Sequence, residues 1–188
     1  MRRLILKMSV SLDGFVAGPN GEADWMFRSR DDGGRRWVEE TLWQAGLHIM
    51  GSRSYFAMGG YWPTATDALA APMNEIPKAI FTRQASLDTS SLASPSWAQA
   101  EVVNGDLAAE IGRLKQQPGK DILAHGGAEF AQSLAAAGLI DEYRLVVHPV
   151  ALGKGLSLFG KLGKPLDLEL HSTTIFRSGT AALVYRPV

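Results

Sequence analysis

His125, Gly126 and Gly127 sit at a change of character in the chain. The run Asp121-Ile122-Leu123-Ala124 is short and apolar, and Ala128-Glu129-Phe130 opens a helix-forming stretch. A strand, a tight turn and a helix N-terminus are expected there. Glycines at such a turn let backbone approach a bound group closely, and the free N–H groups of the first helical turn offer an anion site. Two further segments have a similar setting. Gly51-Ser52-Arg53-Ser54 lies between a buried strand and a helix start, and Thr82-Arg83 follows the next strand. A guanidinium fork and hydroxyl donors suit phosphate. Each segment alone reads equally as a capping serine or a solvated arginine. Ligands of open α/β sheets lie outside the carboxyl ends of the strands. Three such ends can therefore converge on one elongated polyanion, and a dinucleotide fits that description.

Other residues carry weaker signals. Asp13 could orient a substrate or carry a proton, but Asp13-Gly14 is also a favoured turn pair. Trp25 could stack on a flat substrate or pack on the core. Leu156, Leu158 and Phe159 could close over a substrate, beside a solvated loop carrying Lys154 and Lys161. His48, His125, His148 and His171 have no metal-ligand spacing, so no metal is expected. Ser11 and Ser54 have no visible histidine–carboxylate partners, which leaves a serine hydrolase unsupported.

The elements that must position these groups follow from periodicity and breakers. Residues 4–10 read as a strand, and a glycine-rich loop follows. Residues 31–44 read as a helix capped by Asp31 or Asp32, with Trp37, Val38, Leu42 and Trp43 at helical spacing. A strand at 47–50, a brief helix at 52–57, and a loop opened by Gly59, Gly60 and Pro63 come next. A short helix at 68–74, strands at 78–82 and 100–103, and a helix after Asp106 with Leu107, Ile111 and Leu114 inward complete the middle. A strand at 121–124 precedes a helix at 129–137, which Gly138 stops. Residues 142–150, 166–174 and 181–186 read as strands. Helices alternate with strands early, and strands dominate late. An α/β fold is expected, three-layered, with a central mostly parallel sheet and antiparallel C-terminal edge strands.

Length and composition agree with one domain of 188 residues. Lys plus Arg and Asp plus Glu number 19 each, so a nucleic-acid binder working by bulk charge is disfavoured. The absence of cysteine removes disulfides, thiolate metal sites and cysteine nucleophiles. The N-terminal apolar run is too short for a signal peptide or a membrane span, so no membrane partner and a cytoplasmic location are expected.

The motifs Ser11-Leu12-Asp13-Gly14, Met50-Gly51-Ser52-Arg53-Ser54, Phe81-Thr82-Arg83, His125-Gly126-Gly127 and His148-Pro149-Val150 with Gly153 and Gly155 occur in an order that resembles the dihydrofolate reductase superfamily. They resemble more closely the reductase domain of the bifunctional riboflavin-biosynthesis deaminase/reductase and its stand-alone relatives. The resemblance spans nearly the whole chain. It implies NADPH as cofactor and hydride transfer to a small conjugated heterocycle. By position it places Arg53 and Ser54 (after Gly51) at the adenosine phosphates, and Thr82 and Arg83 at the 2′-phosphate. Gly126, Gly127, Ala128 and Glu129 fall at the pyrophosphate, and Val16 and Ala17 at the nicotinamide end. Lys7 and Asp13 match the start of the riboflavin reductase pattern and are candidates for substrate contact or proton supply, with water an equal candidate for the proton.

The chain departs from both patterns on the substrate side. Arg35 and Arg36 stand where dihydrofolate reductases carry a pterin-binding carboxylate, Ser9 replaces an alanine, and His125 stands where the riboflavin enzymes usually carry glutamate. A reductase acting on a pterin-like or ribosylaminouracil-like compound and a nucleotide-binding module without turnover both fit. Residues 142–150 are apolar on both faces and read as an edge strand that something covers, which suggests a homodimer through the late strands.

Overall fold

The computed structural model describes residues 1–90, 92 and 94–188. Among the described residues ten strands form, in chain order, β1 (Leu4–Ser11), β2 (Phe15–Ala17), β3 (Ala45–Gly51), β4 (Lys78–Phe81), β5 (Glu101–Val103), β6 (Asp121–Ala124), β7 (Glu142–His148), β8 (Leu156–Ser157), β9 (Leu168–Ile175) and β10 (Ala181–Pro187). The helices are α1 (Asp32–Trp43), α2 (Ser52–Tyr61), α3 (Ala70–Glu75), α4 (Pro95–Ala98), α5 (Leu107–Gln116) and α6 (Ala128–Ala136).

Eight strands make one sheet in the order β5-β4-β3-β6-β1-β7-β10-β9. The first six are mutually parallel. β10 runs antiparallel to β7, and β9 antiparallel to β10. The α/β fold with a mostly parallel sheet and antiparallel edge strands is therefore the one the sequence pattern implies. Strand alternation divides the core between the two faces. Leu4, Leu6, Met8 and Val10 of β1 join Ile111 and Leu114 of α5 and Ala131 and Leu134 of α6. Ile5, one step out of phase, joins Leu42 of α1, Tyr55 of α2, Met73 of α3 and Trp97 of α4. Helices α1–α4 thus cover one face, and α5 and α6 the other.

Local chemistry explains the helix starts. Asp31 caps α1, accepting from the Gly34 N–H at 2.7 Å, and its second oxygen holds the Ser178 N–H at 2.8 Å. Asp106 caps α5 through the Ala109 N–H at 2.9 Å. Gly138 ends α6 with φ +64°.

Three expectations need correction. α2 runs on through Gly59 and Gly60 to Tyr61 instead of stopping at a loop. A Cβ at Gly59 would lie 3.1 Å from the Trp97 ring, so that glycine serves close packing under α2 rather than breaking it. β2 and β8 form a separate two-stranded ribbon that no alternation marked. β7 is no edge strand: β1 pairs with it on one side and β10 on the other, which accounts for its two apolar faces. The exposed edge is β9, where Leu170 and Ile175 are 50% and 69% exposed. The apolar character of β7 consequently gives no support to a dimer.

At the amino ends, Glu142 is buried and receives bonds from Arg144 Nε at 2.8 Å and Arg186 Nη2 at 2.9 Å, with Arg3 Nη1 at 3.1 Å. Burial works to raise its pKa, but the hydrogen bonds from Arg144 and Arg186 and the charges of Arg144 and Arg3 prevail and hold it below the ordinary glutamate value. Its stabilising effect is present above the unfolded pKa and is lost as pH falls through the folded one. Replacing Glu142 by Gln leaves the guanidinium groups around it without their charge partner. Glu142→Gln is expected to lower stability by about 3 kcal/mol in urea titrations at neutral pH. A change within experimental error would show that the arginines find water instead.

Candidate functional site

The carboxyl ends of β1, β3 and β6 meet at a topological switch point. β6 lies hydrogen-bonded between β3 and β1. The chain leaves β3 toward α2 on one face and leaves β6 toward α6 on the other. A crevice opens where neighbouring strands diverge in this way. Gly51 and Gly127 make it tight. A Cβ at Gly51 would sit 3.3 Å from Phe130 Cβ, and one at Gly127 would sit 2.8 Å from Ser54 Oγ. Gly127 also has φ +103°, which side chains disfavour.

The four α-helices of nine residues or more differ at their starts. α1 and α5 carry side-chain caps, whereas α2 and α6 have none. The two uncapped helices are the pair that begin at the crevice. Their first-turn N–H groups are left as donors, and the dipoles favour negative charge there.

The third strand end joins them. Phe81 of β4 packs on Phe130 of α6 with ring centroids 5.1 Å apart. Arg83 Nη2 lies 3.6 Å from Glu129 Oε1, and Lys161 Nζ 4.0 Å from the same oxygen. Arg83 is 91% exposed, so this pair holds little free energy and leaves the guanidinium free to turn. Thr82 Oγ1 accepts from the Gln84 N–H at 3.1 Å, which shapes the turn that presents Arg83. Arg53 is exposed on the first turn of α2. Gly51, Arg53, Ser54, Thr82, Arg83, Gly126, Gly127, Ala128 and Glu129 therefore all lie around one crevice.

A second feature adjoins it on the α1 face. Lys7 and Ser9 of β1 follow Ile5 on that face and are only partly buried. On neighbouring β7, Arg144 bonds Gln44 of α1 at 2.7 Å, and His148 Nδ1 bonds Ser29 Oγ, just before α1, at 2.7 Å. A polar floor on β1 and β7 thus faces α1 and the segment before it. His125 borders it from the end of β6, stacked edge-on against His48 with centroids 4.5 Å apart. Among the described residues, the buried side-chain nitrogens without a partner are His48 Nδ1 and Nε2, His125 Nε2 and His148 Nε2. Burial pushes Lys7 down to about 8. Burial first, then the charge of Lys7, takes His148 down to about 4. Burial first, then Lys78, takes His48 down to about 3, and His125 is held well below its ordinary value by burial, His48, Lys7 and Lys78.

Other sequence candidates fall elsewhere. Asp13 Oδ1 accepts from Ser11 Oγ at 2.6 Å and the Leu152 N–H at 3.1 Å, and Oδ2 from the Gly153 N–H at 2.7 Å. The Ser11 bond leads in holding its pKa at about 2. That geometry favours the turn role over proton supply. Trp25 is the exception: buried, it donates from its indole N–H to the Glu22 carbonyl at 3.2 Å and meets His148 edge-on with centroids 5.4 Å apart, at the end of the β1–β7 floor. Phe159 packs against Tyr143 with centroids 5.8 Å apart, within the core on the α5–α6 face and away from that floor. Leu156 is half-exposed and pairs with Ala17 in the ribbon. Val16 is a core residue, which leaves Ala17 and the backbone of β2 at that position. The sequence offers His148 as a motif member and a core or interface histidine, not as a site residue, and does not single out Ser29. A signal existed: a strand with Leu4, Leu6, Met8 and Val10 inward carries Lys7, Ser9 and Ser11 on its other face, where burial would demand apolar groups.

Two cavities lie outside the crevice, the first against the Arg144–Gln44 contact of β7 and α1. One of about 230 Å³ is lined by Arg3, Trp37, Glu142 and Arg144, and another of about 560 Å³ by Arg2, Pro77, Lys78 and Glu101. Both open at the amino ends of the strands. Among the described residues no helix is long and apolar enough to cross a membrane, and no group of three or more His, Asp or Glu is placed to hold a metal ion.

Residues 2–182 match the model of the RibD C-terminal domain family. The chain belongs to that family. It is 35% identical over 190 residues to the uncharacterized protein YyaP of Bacillus subtilis (strain 168), covering 98% of this chain and 94% of YyaP. Among solved structures, a Shewanella sp. PV-4 protein provisionally assigned to riboflavin biosynthesis superposes with a TM-score of 0.76 at 20% identity, covering 99% of both chains. Dihydrofolate reductase from Enterococcus faecalis, solved with NADP(H), superposes at 0.64 and 12% identity over 98% of this chain and 96% of that one. The fold is thus dihydrofolate reductase-like, and this RibD C-terminal domain relative stands among reductase-type proteins.

The neutral histidines give the family member an acid-sensitive core. Imidazoles in the unfolded chain titrate near 6.5. Below that pH the unfolded state takes up protons that buried His48, His125 and His148 refuse, so stability falls as pH drops. The slope should be about 1.4 kcal/mol per pH unit for each histidine between roughly pH 6.5 and 4.5. His48→Leu should flatten the profile by one histidine's share in urea titrations, and a parallel profile would overturn this account.

Proposed function

We propose that the protein is an NADPH-dependent reductase acting on a small conjugated heterocycle, pterin-like or ribosylaminouracil-like. The observation that carries this reading is the meeting of two uncapped helix starts, α2 and α6, at the switch point, with Ser54 Oγ set against Gly127. That donor set fits a pyrophosphate. Ser54 and the N–H groups of Gly127 and Ala128 would hold it, and Gly126 and Gly51 keep the approach open. Arg53 would pair with a phosphate nearby.

Thr82 and Arg83 would read the 2′-phosphate, with Glu129 the weak partner that Arg83 releases. Ala17 and the β2 backbone would border the nicotinamide end. The bound cofactor supplies the hydride. The chain binds and orients both reactants, which is where most of the rate enhancement of such an enzyme resides. Lys7, on the adjoining face of β1, would touch the substrate.

One observation favours a second reading, a nucleotide-binding module without turnover. Among the described residues the β1–β7 floor carries no carboxylate of the pterin-binding kind, and Arg35 and Arg36 of α1 are exposed. Substrate-dependent oxidation of NADPH separates the two readings.

The first test is calorimetric titration with NADPH and with NADH. Micromolar NADPH binding, with NADH at least tenfold weaker, is expected. Arg83→Ala should weaken NADPH roughly tenfold, about 1.4 kcal/mol, and leave NADH nearly unchanged. Equal weakening of both would remove the 2′-phosphate role from Arg83, and no binding of either would sink the reductase reading.

A further inference from the structure

Charge is left unbalanced at the amino ends of the strands. Histidines aside, the ionisable side chains buried among the described residues include Arg2, Lys78 and Glu142. Glu142 has its guanidinium partners in Arg3, Arg144 and Arg186. Among the described residues neither Arg2, 8% exposed, nor Lys78, 2% exposed, forms an ion pair. Lysine and arginine are almost never buried this far unless paired. Both line one cavity, of about 560 Å³, below the starts of β3, β4 and β5.

Each cation is anchored there without being neutralised. Lys78 opens β4, and its Nζ donates to the Ile76 carbonyl and to Ser96 Oγ at 3.0 Å, with the Trp97 ring centroid 4.8 Å away. Arg2 precedes β1 and donates from Nε to the Lys120 carbonyl, which leaves its terminal nitrogens for another acceptor. The nearby acids are engaged elsewhere. Asp121 acts on Arg2 through its charge but is bonded to Arg3. Glu101, at the cavity wall, is paired with Arg113 of α5. His48, opposite Lys78 on β3, is neutral. Burial accordingly lowers the pKa of Arg2 and brings that of Lys78 down to about 7. Ser96 and the exposed Gln99 and Gln117 complete the polar lining.

A cationic ligand would add to this excess, and a neutral one would leave both cations unpaired. An anionic oxygen group supplies the counter-charge that the chain withholds, through charge-assisted hydrogen bonds. A guanidinium fork suits carboxylate and phosphate alike. The volume lies within the range of small-molecule sites, roughly 300–1,000 Å³.

We propose that this cavity binds a small oxyanion, a carboxylate or a phosphate compound, between Arg2 and Lys78. The site lies at the edge of the sheet opposite the nucleotide crevice and fills independently of it.

The test titrates inorganic phosphate and succinate separately into the full chain by calorimetry at pH 8 and constant ionic strength, with chloride as the control. At least one is expected to bind at a single site with millimolar or tighter affinity. The preference between the two identifies the oxyanion class. Heats measured in two buffers of different ionisation enthalpy should show the uptake of close to one proton, because the bound anion restores the charge of Lys78. Lys78→Met, checked for native circular dichroism, should weaken binding at least tenfold and abolish that uptake. Arg2→Gln should weaken it severalfold. Ser54→Ala and saturating NADPH should leave it unchanged, since both act at the opposite edge.

Heats no larger than those of chloride, binding without proton uptake, or native affinity in both Arg2→Gln and Lys78→Met would overturn the proposal. Loss of binding with Ser54→Ala or with NADPH would also overturn it, by placing the anion in the nucleotide crevice. Should Lys78→Met fail to fold, Arg2→Gln and the proton uptake of the native chain still decide.

Discussion

The insertion of β6 between β3 and β1 governs everything at the carboxyl edge of the sheet. The chain builds β1, then moves outward through β3, β4 and β5, and only then returns to fill the gap. The returning strand bonds to both neighbours, and its exit helix must take the opposite face because α1 and α2 already cover the first one. Two helix starts are thereby brought to adjacent strand ends with little room between them. Glycine at 51 and 127 is the steric consequence: a methyl at either position would press on Phe130 or Ser54. The lack of side-chain caps on α2 and α6 is the electrostatic one, since a cap would consume the donors that the crevice presents.

The same insertion sets the polar floor. β6 delivers His125 beside β1, and β7, reached by passing over β1, delivers His148 on the other side. Lys7, His125 and His148 therefore lie on the face of the sheet that α1 covers, with Lys7 opposite Arg144 and His148 opposite Ser11. Each is costly to bury without a partner, and the imidazoles meet that cost by staying neutral. The apolar layers on either side, anchored by fully buried Leu6, Ile49, Tyr55, Trp97 and Ile122, provide the stability that such a floor spends. Departure from an apolar pattern at one end of a central strand is what a binding site in this kind of sheet requires.

Different residues were legible to different degrees. The N-terminal apolar run of β1, the Asp31 and Asp106 caps, the stop at Gly138 and the strand–glycine–helix turn at 121–130 are local signals, and each formed where local chemistry places it. Gly59 and Gly60 misled, because helix propensity loses to the packing of Trp97 against the bare Gly59 backbone. β2 and β8 left no trace, since strands of three and two residues are too short for a period and exist only because Gly155 lets their backbones touch. The edge character assigned to residues 142–150 failed for a related reason. A strand buried on both faces looks the same whether its sides are open or paired, and only the return of β10 settles which.

For the site, the sequence by itself determined the ingredients: three glycine- or hydroxyl-bearing strand ends with Arg53 and Arg83. Their order along the chain determined the family. The tertiary structure decided which ingredients meet. It gathered residues from 51 to 54, 82 to 83 and 126 to 129 around one crevice, turned Asp13 into a loop fastener, sent Phe159 to the far face and brought His148 beside Ser11. The physical reason is that local signals act through backbone conformation and capping, within a few residues. Convergence depends on strand order and on which face each crossover takes, and those are set by burial summed over the whole sheet.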